Sequence, residues 1–158
     1  MLANLKIGYF LNHNIERCKQ KDAADSFIRI YSNENNKFFY DDNVQFTRWR
    51  RLVYNATLNC VCTILGVDTG RLELFGGNET IIRRAMREVL KVAESENIHI
   101  PEDVMEFMLR ADDGVYYYSP FMLVDLRKGN YIELEVICGN VVRIAKHDDI
   151  KVPTLSLF

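Results

Sequence analysis

The stretch from Val44 to Leu65 is apolar on almost every side of a helix, and this constrains the fold more than any other feature. Leu52, Val53, Ala56, Leu58, Val61, Ile64 and Leu65 leave one polar stripe, Arg51, Asn55 and Asn59, at spacing i, i+4, i+8. A helix of this kind is buried by other helices. Gly66 supplies a plausible C-terminal stop. Buried amides need partners, because an unpaired one costs about 1–3 kcal/mol. Two readings of the stripe are open: the asparagines bond neighbouring helices or loops, or they point into a cleft and hold a polar ligand.

Everything downstream also reads as helix. Thr69–Phe75 allows a short helical turn before Gly76 and Gly77. Asn78 is placed as the cap of a helix reaching about Glu96, with Ile82, Ala85, Met86, Val89, Leu90 and Ala93 stepping by three and four. Pro101 opens another helix to about Arg110, which Asp112-Asp113-Gly114 closes. Ser119-Pro120 repeats that grammar for a short helix ended by Gly129. A last complete helix covers Ile132 to Lys146, and Pro153 starts one more that runs only to Phe158.

Upstream the period changes. Leu5–Leu11 reads as a strand, Lys21–Ser32 as a helix and Lys37–Tyr40 as a second strand, a βαβ-like unit. Two strands do not make an independently stable sheet, so this unit is expected to belong to a larger one. The 158 residues are then a helical domain, 44–158, preceded by the edge of another, 1–43.

The chain's chemistry narrows by exclusion. A net charge of −2 gives no footprint for nucleic acid, even with Arg48, Arg50 and Arg51 clustered around Trp49. No apolar run approaches the ~20 residues of a membrane span. Cys18, Cys60, Cys62 and Cys138 read as reduced thiols of a cytoplasmic protein, with Cys60 and Cys62 buried. His13, His99 and His147 lack metal-ligand spacing. There is no GxGxxG, Walker loop or GxSxG. The acidic residues Asp125, Glu133 and Glu135 fall on the last two helices, on solvated faces or at a site. Glu94, Glu96, Asp148 and Asp149 are expected to face solvent.

One family gathers these residues. Trp49-Arg-Arg-Leu-Val-Tyr-Asn55-Ala-Thr-Leu-Asn59 resembles the W-x-K-L-x-x-N-x-x-x-N helix that opens the C-terminal domain of ketopantoate reductases (2-dehydropantoate 2-reductases). Met122-Leu-Val-Asp125 and Ile132-Glu133 through Gly139 to Ala145 resemble the family's S-M-x-x-D and T-E-x-x-x-x-x-G segment, and Ile150-Lys-Val-Pro153 its G-x-x-x-P. Tyr31-Ser-Asn33 and Pro153-Thr-Leu-Ser156 are most like the fungal ketopantoate reductase-like proteins.

The resemblance implies a mainly α fold of the 6-phosphogluconate dehydrogenase C-terminal-like type, with residues 1–43 as the tail of an N-terminal Rossmann domain. It implies a parent that uses NADPH to reduce a 2-keto acid in pantothenate biosynthesis. The fragment itself is expected to hold no cofactor and to be inactive. By position, the family's catalytic lysine falls on Arg51 and its orienting glutamate on Glu133. The substrate-binding positions fall on Asn55, Asn59 and Asp125. Two departures stand out: arginine replaces the proton-donating lysine, and Phe121 replaces the serine that binds the substrate carboxylate. Arginine yields its proton poorly, which leaves polarisation of a carbonyl or clamping of a carboxylate. The alternative is a non-catalytic ligand-binding or dimerisation module, with a homodimer as the partner.

Overall fold

Two parallel strands can be joined only through a crossover, and the first of two compact units, Met1–Arg48, supplies one. The computed structural model describes residues 3–111 and 117–158. Strand β1 (Ala3–Ile7) pairs in parallel with β2 (Asn36–Tyr40), from Ala3 opposite Asn36 to Ile7 opposite Tyr40. Helix α1 (Arg17–Tyr31) connects them.

β1 ends well before the expected Leu11, at Gly8, where the chain passes close to the segment after β2. A Cβ there would run into the Asp41 carbonyl and the Val44 side chain. α1 starts earlier than Lys21 because Gln20 organises the loop in front of it. Its amide donates to the carbonyls of Asn12 (2.9 Å) and Ile15 (2.7 Å), and its oxygen accepts the Asn12 N–H at 2.9 Å.

The long apolar stretch is helical throughout, but not uniformly α. Helix α2 (Val44–Tyr54) passes into the second unit, Trp49–Phe158. It continues as a π-helical turn, Asn55–Asn59, and then as α3 (Cys60–Leu65). One threonine lies within the widened turn and one just beyond it: Thr57 Oγ1 donates to the Val53 carbonyl at 2.5 Å and Thr63 Oγ1 to that of Asn59 at 2.7 Å. Such back-bonding competes with the helix ladder, and single π turns cluster at functional sites. Gly66, at φ 69°, takes the left-handed position that stops α3.

Helix α4 (Thr69–Leu74) is capped by Asp68, whose carboxylate accepts the Arg71 N–H at 2.9 Å and pairs with the Arg71 guanidinium. Burial pushes the Asp68 carboxyl up, but these Arg71 bonds outweigh it and hold the group below the usual carboxylate range. A depressed folded-state pKa means the stabilisation is complete above the unfolded value of ~4 and is lost as pH falls through the folded one. Asp68→Ala is therefore expected to cost about 1 kcal/mol at neutral pH. Thermal melts should show that difference shrinking in acid; an equal loss in acid would contradict this role.

A second π turn, Asn78–Ile82, opens α5 (Arg83–Ser95). This corrects the expected cap: Asn78 is already inside the helix, and its buried Oδ1 meets no donor. Ile82, Ala85, Met86, Val89, Val92 and Ala93 of this helix are buried, as is the carboxylate of Glu88. Helix α6 (Asp103–Ala111) follows, and its expected stop at Asp112-Asp113-Gly114 lies outside the described residues. Helix α7 (Phe121–Arg127) ends before Gly129 as expected. The last long helix begins at Leu134, two residues after the expected Ile132, passes through a third π turn, Glu135–Gly139, and continues as α8 (Asn140–His147). After Pro153 the chain makes a single 3-10 turn, Leu155–Leu157.

Glu88, 7% exposed, explains that last turn: one carboxylate oxygen accepts the Thr154 N–H and the other the Leu155 N–H, both at 2.9 Å. Asp148 also departs from expectation. It is half-buried rather than solvent-facing, accepting from Ser95 Oγ at 2.7 Å and lying 2.7 Å from His147 Nδ1. The Ser95 hydroxyl, then His147, holds its carboxyl below the usual range. Among the described residues no helix is long and apolar enough to cross a membrane.

Candidate functional site

The polar stripe of the long helix is graded from solvent to core. Arg51 is exposed, Asn55 is half-buried and Asn59 is 5% exposed. The π turn begins at Asn55 and ends at Asn59, so the two amides sit at its two ends. Asn59 Oδ1 accepts the backbone N–H of Met122 at 3.1 Å, across 63 residues of sequence. The core amide thus takes the first of the two expected roles, bonding a neighbouring helix.

That bond fixes the start of α7. Met122 and Leu123 are buried, and α7 packs on α3 and on the Asn55–Asn59 turn. Phe121 and Asp125 are four residues apart and share the other face of α7. Phe121 is 75% exposed, and Asp125 is half-buried. Asp125 Oδ1 accepts from Asn130 Nδ2 at 3.1 Å, while its carbonyl accepts the Asn130 N–H at 2.9 Å. Asp125 therefore also shapes the turn that closes α7. Ser119, just before the helix, accepts from Arg127 at 3.0 Å, and the same guanidinium donates to the Gly66 carbonyl at 3.1 Å. This ties α7 to the end of α3 at its far side.

Glu133 is exposed, and its carbonyl accepts the Ile137 N–H as the Glu135–Gly139 turn begins. That turn packs against the Asn55–Asn59 turn, so two π turns meet in the core. Cys60 and Cys138 are buried free thiols there; Cys60 donates to the Asn55 carbonyl at 3.3 Å and Cys138 to the Leu155 carbonyl at 3.7 Å. The neighbouring Cys138 thiol, then burial, pushes the Cys60 thiol up. A thiol so placed is a packing group and not a nucleophile. Of the clustered arginines, Arg48 lies over the Phe10 ring and Arg50 over that of Phe107, 4.8 Å from its centroid. Among the described residues no group of three His, Cys, Asp or Glu could hold a metal ion.

The structure thus brings Asn59 together with α7, the helix carrying Phe121 and Asp125. Arg51 and Glu133 present exposed side chains. Reasoning from the sequence missed Glu88, although 85, 88, 89 and 92 form one i, i+3, i+4, i+7 set that places it on the buried face.

The chain has known relatives. The family model described as ketopantoate reductase PanE/ApbA C terminal matches residues 43–158. An uncharacterized protein of Saccharomyces cerevisiae, YDL144C, is 40% identical over 141 residues, covering 85% of this chain and 39% of that protein. The 2-dehydropantoate 2-reductase of Halobacterium salinarum is 30% identical over 107 residues, covering 68% of this chain and 35% of the relative. The crystal structure of a PanE/ApbA family ketopantoate reductase from Ralstonia eutropha JMP134 superposes with a TM-score of 0.82 at 24% identity, over 99% of this chain and 49% of that one. The chain spans less than half the length of each of these proteins. A match from residue 43 to 158, carrying the Asn59-bearing helix and α7, places it in the ketopantoate reductase family, in the region of that family's C-terminal domain.

Proposed function

We propose that this chain is the substrate-holding domain of a ketopantoate reductase-like oxidoreductase that converts a 2-keto acid to a 2-hydroxy acid. The observation that carries this reading is the Asn59–Met122 bond, which joins the polar stripe to the helix bearing Asp125. With Asn59 Oδ1 committed to Met122, the exposed Arg51 and the half-buried Asn55 are the stripe residues most open to a ligand from solvent. Arg51 stays charged at any ordinary pH and can pair with a carboxylate in a two-bond fork, or polarise a carbonyl oxygen. A water molecule then serves as the proton source, since guanidinium releases its proton poorly. Asn55 offers both a donor and an acceptor to the keto group, and Glu133 orients the arginine.

The hydride of such a reduction comes from NADPH, and the described residues do not fit a dinucleotide. The loop between β1 and α1 carries one glycine, Gly8, and the space beside it is filled by the Asp41 carbonyl and Val44 of this chain. A pyrophosphate cradle needs several glycines and open backbone N–H groups. The role of this chain is accordingly to bind and orient the keto acid.

Titration of the 15N-labelled chain with ketopantoate tests the proposal. The Asn55 side-chain amide and the Arg51 Nε–H are expected to shift in one saturable process, and Arg51→Ala to weaken it about ten-fold, the loss of one charged hydrogen bond. Saturable shifts confined to other residues, or none at millimolar ligand, would overturn it.

A further inference from the structure

Helix α5 turns a basic face to solvent. Arg84, Arg87 and Lys91 are exposed and stand at i, i+3 and i+7, on one side of the helix over about 10 Å of its length. Among the described residues none of these three side chains has an ion pair or a hydrogen bond. By contrast Arg71, Arg83, Arg110 and Arg143 of the same unit are each paired with a carboxylate. The acids near the stripe are engaged elsewhere. Glu88, in its midst, is buried with both oxygens on the Thr154 and Leu155 N–H groups, and Glu94 lies 3.1 Å from His99. The segment tied to α5 at Ser95–Asp148 and at Glu88–Thr154 adds Lys151 and Asp149, one exposed charge of each sign. Three exposed cations are therefore left without counter-ions on a chain whose net charge is −2. Arg84 with Arg87, and Arg87 with Lys91, are like pairs at i, i+3 and i, i+4, a spacing that destabilises a helix. An anion laid across them removes that repulsion.

We infer that this face is a docking surface for a carboxylate-rich peptide segment of a partner protein. A guanidinium takes a carboxylate in a two-bond fork, so two arginines in line suit such a segment. The apolar side of recognition is missing here: between residues 76 and 106 no large apolar side chain is exposed. Stable attachment to a bilayer uses such side chains as well as charge, and single-stranded nucleic acid needs rings to stack on. A surface that recognises by charge forms its complex quickly and loses it to salt. The inference is independent of the 2-keto acid reading, because α5 carries none of the residues assigned to that site.

Fluorescence anisotropy of a fluorescein-labelled hexaglutamate peptide, titrated with the chain, tests the inference. Saturable binding is expected at about 50 mM salt and should weaken about ten-fold at about 300 mM. Arg87→Glu combined with Lys91→Glu should weaken binding by about ten-fold at the lower salt, and Arg87→Gln with Lys91→Gln by about three-fold. Lys37→Glu combined with Lys128→Glu makes the same change in net charge on exposed residues elsewhere and should weaken it by no more than about two-fold. All four positions are exposed, so every variant is expected to melt with the parent. No binding at millimolar chain, binding that survives Arg87→Glu with Lys91→Glu, or equal weakening by the Lys37 and Lys128 pair would overturn the inference. Tighter binding to phosphatidylserine vesicles or to an oligouridylate than to the peptide would overturn it as well, since the partner would then be a membrane or an RNA.

Discussion

Glu88→Ala is expected to destabilise the second unit by about 3 kcal/mol, the largest effect of any single substitution considered for this chain. The carboxylate is buried in the middle of α5, and each of its oxygens holds one backbone N–H of the final turn. Hydrogen bonds to a charged group contribute about 1.5–3 kcal/mol each, and removing the acceptor leaves two N–H groups poorly solvated. The buried Leu155 side chain next to that turn loses its anchor as well. For a chain of this size the melting temperature should fall by roughly 6–12 °C. Glu88→Gln separates anchoring from packing: it keeps the shape but turns an NH2 group toward one of the two N–H donors, so about half the loss is expected. A loss below about 1 kcal/mol for Glu88→Ala would mean that the C-terminal turn is held by apolar contacts alone.

The Asn59 substitutions come second in size. Asn59→Ala removes the acceptor for the Met122 N–H and opens a small void between the π turn and α7. An unsatisfied buried N–H costs about 1–3 kcal/mol, so a loss of about 2 kcal/mol is expected, with Met122 amide exchange accelerating by about 30-fold where exchange reports local opening. Asn59→Asp keeps an oxygen in place and should preserve Met122 protection better than alanine does. Equal acceleration in both variants would show that burial, rather than the amide oxygen, protects Met122.

These two residues also show how far the sequence could be read. The long apolar helix was legible because its hydrophobic residues cover nearly every direction around the axis. The same is true of its stop at Gly66, where the backbone does adopt a positive φ. The stripe of Arg51, Asn55 and Asn59 was legible as a stripe, but not its division of labour. Which amide faces solvent and which bonds α7 depends on a partner 63 residues away. The three π turns were not legible, because a widened turn leaves the periodicity of a short segment nearly unchanged. Glu88 was passed over because a charged residue in an apolar register reads as a surface position until its partners are known. Those partners, the Thr154 and Leu155 N–H groups, are backbone and carry no sequence signature. Asn78 misled in the opposite sense. It is a favoured cap residue just before an amphipathic run, yet the helix begins one residue earlier, at Gly77.

The family match sharpens what the departures mean. Within a domain that belongs to the ketopantoate reductases, position 51 carries arginine and position 121 carries phenylalanine. Arginine yields its proton poorly, and Phe121 puts an apolar ring on the face of α7 that also carries Asp125. A shared fold does not transfer a substrate, because the substrate is chosen by side chains at the site.

The most direct test of this account is a crystal structure of the chain with a bound 2-keto acid. The expected result is density for the acid with its carboxylate or keto oxygen within hydrogen-bond distance of the Arg51 guanidinium and the Asn55 amide. Asn59 Oδ1 should still accept the Met122 N–H. An acid bound elsewhere, or one that draws Asn59 away from Met122 while leaving Arg51 untouched, would contradict it.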